Sequence, residues 1–339
     1  MPAPGARNLI TDVAGLEVGH AVDEAARSGV TVLLCGHAWA AGVDVRGGGP
    51  GTRETEALSP ENLVGRAHAL VLAGGSVFGL AAADGVAAVL SDRGIGLELK
   101  RGSRSPKVPI VPCAVLYDLG NGGDKSWGRT PPYRELGVAA LAAAGPDFSL
   151  GRTGAGRGAA VGLLDGGIGS ASLDLGDGIT VGALAALNAV GSALMPDGET
   201  PWAWPFELAG EFGGRGPPRR SMDTSNPLPD DCRLNDAARA DIGVNTTIAV
   251  VACSADLASA ECKRIAMMAH DGIARAVRPA HTPFDGDTIF AVASAARALD
   301  GGTRRAAEIA RIGAAAADCM ARAIGRAVYA SNPGLQRPR

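Results

Sequence analysis

Aromatic residues are scarce: three Tyr, four Trp and six Phe in a chain of 339. Large rings therefore cannot organise the core, and Ala, Val and Leu have to fill it, with elements packed closely through small side chains. Lysine occurs only at Lys100, Lys107, Lys125 and Lys263, so arginine carries nearly all the positive charge. A formal net charge of −3 gives no global pull toward nucleic acid. The cysteines (Cys35, Cys113, Cys232, Cys253, Cys262 and Cys319) contain no Cys-x-x-Cys pair and no Cys/His zinc spacing. They read as buried free thiols in a reducing compartment, and nothing in the pattern calls for a metal or other cofactor. Residues 1–13 lack the basic-then-apolar order of a signal peptide. The longest mainly apolar run, Val181–Met195, is interrupted by Asn188 and is too short to span a bilayer. The expectation is a cytoplasmic protein without a membrane or nucleic-acid partner.

What the chain has in excess is glycine, 49 residues, roughly double the usual ~7%. The glycines cluster, which marks tight turns and close backbone approach. With 46% hydrophobic and 20% charged residues the composition is that of a soluble globular protein. At this length the core is either one large composite or divided between two domains.

Apolar runs over 10–18 and 29–35 read as strands. The segment Asp44 to Thr55 holds Gly47, Gly48, Gly49 and Gly51 with Arg46 and Arg53. It reads as an anion-binding nest or, more simply, as a structural turn with its arginines in ion pairs. Residues 68–73 form a buried strand running into Gly74-Gly75-Ser76, with Ser76 as N-cap of an Ala-rich helix over 81–91. The spacing there is not that of a nucleophile elbow. Strands over 94–100 and 107–119 and a helix over 133–144 follow. Gly154 to Ala159 matches a dinucleotide fingerprint, but Gly162, Gly166, Gly167 and Gly169 come next, and each interior Gly costs a helix about 1 kcal/mol. No helix can start there, so the Rossmann reading fails on context. Residues 169–175 and 179–195 suit a hairpin turning at Gly176-Asp177-Gly178. Asn188 lies inside its second strand, where a polar amide must be hydrogen-bonded, in a core network or as an oxyanion donor. Position alone favours the network.

Residues 196–244 break the pattern: Pro-, Gly- and Arg-rich with little periodicity, they read as a flexible tether. A strand over 245–253 follows, then a helix over 255–276 with Leu257, Ile265, Met268 and Ile273 on one face. A loop through His281, a tight turn at Asp285-Gly286-Asp287, a strand over 288–293 and a closing helix over 302–329 complete the chain. Thr246 stands where a β-branched residue opening a strand belongs, and Asp-Gly-Asp is common turn chemistry. The sharper alternative is a cut between Asn245 and Thr246. It would leave Thr246 as an N-terminal nucleophile with its own α-amine as base.

Six ordered motifs bear on that choice. They are Ile10 to Val13; Asp44 to Gly48 with Pro50 to Thr55; Gly74 to Leu80; Gly167 to Ser172; Asn245 to Ile248; and Asp285 to Thr288. As a set, over about residues 8–330, they closely resemble the self-cleaving peptidase family of the L-aminopeptidase/D-esterase DmpA, the β-peptidyl aminopeptidases and the nylon-oligomer hydrolase. The resemblance implies an α/β fold, the αββα sandwich of N-terminal-nucleophile type. It also implies self-cleavage into 1–245 and 246–339 and a homo-oligomer, often a tetramer. Thr246 would be the nucleophile, Asp285 and Asp287 its orienting and polarising partners, Asn188 the oxyanion donor, and Tyr117 a substrate-side or oxyanion neighbour. The implied substrates are short peptides, cut as by an aminopeptidase. The Asn-Thr-Thr junction is closer to the nylon-oligomer hydrolase, so non-peptide amides stand as an alternative. A further alternative is an uncleaved, non-catalytic relative, because Leu163 stands where many members carry a lysine.

Overall fold

A computed structural model describes residues 2–99, 102, 105–235 and 245–336. Its strands and helices, in chain order, are β1 (Leu16–Asp23), β2 (Ser28–Val45), β3 (Gly51–Arg53), β4 (Arg66–Ala73), α1 (Ala82–Asp92), β5 (Cys113–Val115) and α2 (Tyr133–Ala142). They continue with β6 (Ala160–Val161), β7 (Leu164–Asp165), β8 (Gly167–Asp174), β9 (Thr180–Asn188), β10 (Thr246–Ala255), α3 (Ser259–Ala276), β11 (Thr288–Arg297) and α4 (Gly302–Ser331).

Strand β2 is the hinge of the architecture. Its first half pairs with β1 and β4; after an irregularity between Leu34 and Trp39 it meets β4 only at Trp39 and Ala40, and from Ala40 to Val45 it pairs with β11. The order β3-β5-β4-β2-β11-β10-β9-β8 is thereby one connected path folded into two facing sheets. Period-2 alternation shows the fold directly. On β10, Ile248, Val250 and Ala252 enter a core shared with Leu33, Leu70 and Leu72, while Ala249, Val251 and Cys253 pack outward with Ile265, Ala316 and Met320. On the other sheet Val30, Val32, Ala69 and Val71 pack outward with Val86, Leu90 and Leu141. The layers are therefore α1/α2, sheet, sheet, α3/α4: an αββα sandwich. Small residues permit the spacing. A Cβ on Gly169 of β8 would lie 1.8 Å from the Ala323 carbonyl oxygen of α4.

Several element boundaries differ from the sequence reading, each for a local reason. Residues 10–12 form a short 3₁₀ turn because the Asp12 carboxylate accepts the amides of Arg7 and Leu9. The strands expected over 94–100 and 107–119 reduce to a Leu97–Val108 bridge and the three-residue β5. Pro106, Pro109 and Pro112 remove the donors a longer ladder needs, and Lys100 lies outside the described residues. Ser76 is not an N-cap: it opens a 3₁₀ turn at φ +52°, and the α-helix starts only at Ala82. Leu257 precedes α3, which begins at Ser259. β9 stops at Asn188, opposite the first residue of β10, where its pairing partner ends.

The segment expected as a tether is irregular, yet as far as Asn235 it is fastened to the body. Phe212 is buried against Gly325, and the Glu211 carboxylate accepts from the buried Arg322 at 2.6 and 3.0 Å. Arg233 donates to the carbonyls of Ala160 and Ala189 at 3.0 and 2.7 Å. Residues 236–244, the remainder of the expected tether, lie outside the described residues. Among the described residues no helix is long and apolar enough to cross a membrane.

Candidate active site

Thr246 is the first residue of β10 and sits opposite Asn188, the last residue of β9. By alternation it shares the inter-sheet face with Ile248 and Val250, at the end of that core. A cleft of about 480 Å³ opens there, lined by Thr246, Tyr117, Ser76, Thr52, Leu80 and Val115 among others, with no charge among the described lining residues.

The residue before Thr246 is held from the other side. Asn245 bridges Asp285, and its carbonyl oxygen accepts the Gly286 amide at 3.0 Å. The Thr246 hydroxyl donates to that same carbonyl. A backbone donor and a hydroxyl thus converge on the peptide group joining Asn245 to Thr246. This is the pairing that attack on a carbonyl requires: a nucleophile within reach and an amide placed to receive charge on the oxygen. The crowding is tight, since a Cβ on Gly286 would lie 2.7 Å from Thr246 Oγ1. Asn245 is buried, and among the described residues neither polar atom of its side chain has a hydrogen-bond partner. Such an arrangement costs stability and is kept where function needs it.

Asp287 accepts the Thr247 amide at 2.7 Å through Oδ1, and the amide and Nδ1 of His281 at 3.1 and 2.7 Å through Oδ2. Asp285 accepts the amide and hydroxyl of Thr282 at 2.9 and 2.7 Å. Both carboxylates are 1% exposed. Burial, and then the negative charge of Asp287, push the Asp285 carboxyl up to about 6. The glycine-rich segment at 44–55 proves to be a strap for this turn. The amides of Arg46 and Gly49 donate to the carbonyls of Asp287 and Asp285 at 2.9 and 2.8 Å. Its arginines are engaged in ion pairs, Arg46 with Asp44 and Arg53 with Asp84, so the simpler of the two readings describes it.

Asn188 is fixed at both ends of its amide. Oδ1 accepts the Ala160 amide at 2.9 Å, and Nδ2 donates to the Tyr117 carbonyl at 3.0 Å. The network that position favoured is therefore present, and it ties Asn188 to a residue of the cleft wall. Leu163, in contrast, lies at the tip of the β6–β7 hairpin, 62% exposed, and lines a separate cavity with Trp202 and Arg278. It takes no part in the Thr246 cleft. Among the described residues no three of His, Cys, Asp and Glu gather so as to hold a metal ion.

Two histidines to which the sequence assigns no role stand beside the Asp-Gly-Asp turn. Burial pulls the His281 imidazole down, but its bond to Asp287 and that residue's charge outweigh burial and leave it raised. Its ring meets that of His270 with centroids 4.9 Å apart. His270 is fully buried, Nε2 lies 3.1 Å from the Asp44 carbonyl, and burial lowers its pKa to about 4. Only the closeness of His281 to the Asp-Gly-Asp turn could have signalled a role.

Comparison with known proteins bears on this geometry. Residues 8–336 match Peptidase family S58. A protein named as an uncharacterised aminopeptidase in Mycobacterium tuberculosis is 44% identical over 96% of this chain and 95% of its own. A 6-aminohexanoate-oligomer endohydrolase of an Agromyces species is 30% identical over 85% of this chain and 75% of its own. Among solved structures, a β-aminopeptidase of a Burkholderia species superposes with a TM-score of 0.69 at 24% identity, covering 98% of this chain and 89% of that one. The L-aminopeptidase D-Ala-esterase/amidase of Ochrobactrum anthropi, described as a variant of the Ntn hydrolase fold, gives 0.68 at 21%, covering 97% and 88%. With six sequence motifs gathered into one αββα sandwich and a family match across nearly its whole length, this chain belongs to peptidase family S58 and is a peptidase or amide hydrolase.

Proposed function

We propose that the chain cuts itself between Asn245 and Thr246 and then uses Thr246 to hydrolyse amide bonds of short peptides, as an aminopeptidase. The observation that carries this is the convergence of the Thr246 hydroxyl and the Gly286 amide on the Asn245 carbonyl at the head of an open cleft. In the precursor, Thr246 Oγ1 attacks the Asn245 carbonyl carbon and passes its proton to the departing amide nitrogen as the carbon–nitrogen bond breaks. That break frees the α-amine of Thr246, and water then hydrolyses the resulting ester, releasing the Asn245 carboxylate and restoring the Thr246 hydroxyl. That amine has a reference pKa of about 7.7–8.0, suited to a general base near neutrality. In turnover it takes the hydroxyl proton as Oγ1 attacks the substrate carbonyl and returns it to the leaving amine; water then releases the acyl group. Asp287 fixes the strand start through Thr247, Asp285 braces the turn beside it, and Asn188 with Tyr117 flanks the forming oxyanion.

A second reading is favoured by one feature of the cleft. Among the described residues its lining carries no charge, which suits the uncharged interior amides of oligomers such as the 6-aminohexanoate oligomers named for the endohydrolase relatives. In this reading the enzyme is a homo-oligomer, often a tetramer in such peptidases, and cytoplasmic, in keeping with six buried free cysteines. Purified protein incubated with aminoacyl p-nitroanilides and with aminohexanoate oligomers tests the reading. Turnover of the anilides supports the aminopeptidase, and turnover of the oligomers alone supports the second reading. Turnover of neither, by a chain that stays whole, contradicts both.

A further inference from the structure

The Thr246 reading leaves His281 unexplained, and the geometry gives it a task. Nδ1 and the backbone amide of His281 both point at Oδ2 of Asp287, while Oδ1 of the same carboxylate accepts the amide of Thr247, the residue bonded to Thr246. One carboxylate thereby links a loop imidazole to the start of the strand that carries the hydroxyl. We propose that His281 is a positioning residue for amide cleavage: its Nδ1–H locks Asp287 in the orientation that holds Thr247, and hence Thr246, against the carbonyl to be attacked. The inference rests on Thr246 as the nucleophile.

Each piece of the surroundings supports an imidazole held for this purpose. His281 sits at φ +58°, a left-handed conformation in which Asn, Asp and His are the non-glycine residues most often found. The ring is braced by His270 on α3, itself buried and bonded to the end of β2 at Asp44. The charged and titratable groups facing His281 are Asp287 from its own turn, with Asp285 next to it, His270 from α3, and Asp44 and Arg46 from the end of β2. The backbone carbonyl of His270 adds to the support of the protonated ring. Among the described residues no hydrogen bond or ring contact joins His281 to Thr246 or to the cleft lining, and its bonds to Asp287 are the route by which it can act there.

The left-handed backbone makes the test clean, because Asn, Asp and Gly all tolerate it. His281→Asn puts an amide donor where Nδ1–H stood. His281→Asp has the same shape with acceptors only, and His281→Gly has no side chain. In the full-length protein, self-cleavage rate, kcat and KM are compared across the three and wild type. The Asn variant is expected to stay within about threefold of wild type. The Asp and Gly variants should lose about 10- to 100-fold in kcat and in cleavage rate, with KM within about threefold, as befits misplacement of a reacting group. Equal rates in the Asn and Gly variants, both high or both low, overturn the inference, and so does an Asp variant as fast as Asn. A wild type that neither cuts nor hydrolyses defeats the Thr246 reading and this one with it. A working wild type beside an equally working Gly variant defeats this one alone.

Discussion

The two walls of the cleft use the same device to different ends. On one wall Asp287 holds the amide of Thr247, next to the Thr246 hydroxyl, at 2.7 Å. On the other, buried Asp118 holds the amide of Gly75, next to the Ser76 hydroxyl, at 2.8 Å. Ser76 even carries a left-handed backbone of the kind associated with functional strain. The walls part company beyond the carboxylate. Behind Asp287 stands His281, and in front of Thr246 lies a carbonyl already bonded to the Gly286 amide. Behind Asp118 are the hydroxyls of Ser28 and Tyr133, and burial raises its pKa. A hydroxyl beside a carboxylate-held amide is thus common to both walls; what sets Thr246 apart, and supports its proposed role as nucleophile, is the acyl group and the donor placed around it.

The comparison breaks most simply at its two hydroxyls. Thr246→Ala should stay uncut and lose about 10⁴-fold or more in turnover, whereas Ser76→Gly, which suits its backbone, should still cut and stay within about tenfold. Mass spectrometry and anilide kinetics on the two variants decide it. The carboxylates come next. Asp287→Asn should slow both cleavage and turnover about 10²- to 10³-fold. Asp118→Asn, which keeps an acceptor for Gly75, should change either rate less than about fivefold. The smallest effect is on stability. The Asp285 carboxyl is raised from 3.8 to about 6 in the folded chain, so the folded state binds its proton more tightly than the unfolded state. Its ionisation therefore destabilises the fold as pH rises through that window, and the penalty is absent below about pH 4. In the uncut Thr246→Ala background, Asp285→Asn should add on the order of 2 kcal/mol at pH 8 and almost nothing at pH 4, measured by urea unfolding.

The layers of the fold were legible wherever apolar alternation was long. The β8–β9 hairpin, β10, β11 and the helices α1, α2, α3 and α4 stand close to where periodicity places them. The single 18-residue β2 was not, since its bend between Leu34 and Trp39 and its service to both sheets depend on partners far along the chain. At the site, Asn245, Thr246, Asp285 and Asp287 read on their own as a strand start and a turn, and it is the family resemblance, carried by contiguous motifs, that singles them out. It does not single out His281 and His270. Their meeting depends on a left-handed residue in a loop and on how α3 lies against it, neither of which leaves a local pattern. Leu163 shows the converse: a position singled out by alignment to a motif is placed by the fold on a different cavity.

Intact-mass spectrometry of the purified wild-type chain over a long incubation tests the central claim most directly. The account predicts two products, one of them beginning at Thr246 and running to Arg339, which is 94 residues since 339 − 245 = 94. Full-length chain alone, or a cut at any other bond, would contradict it.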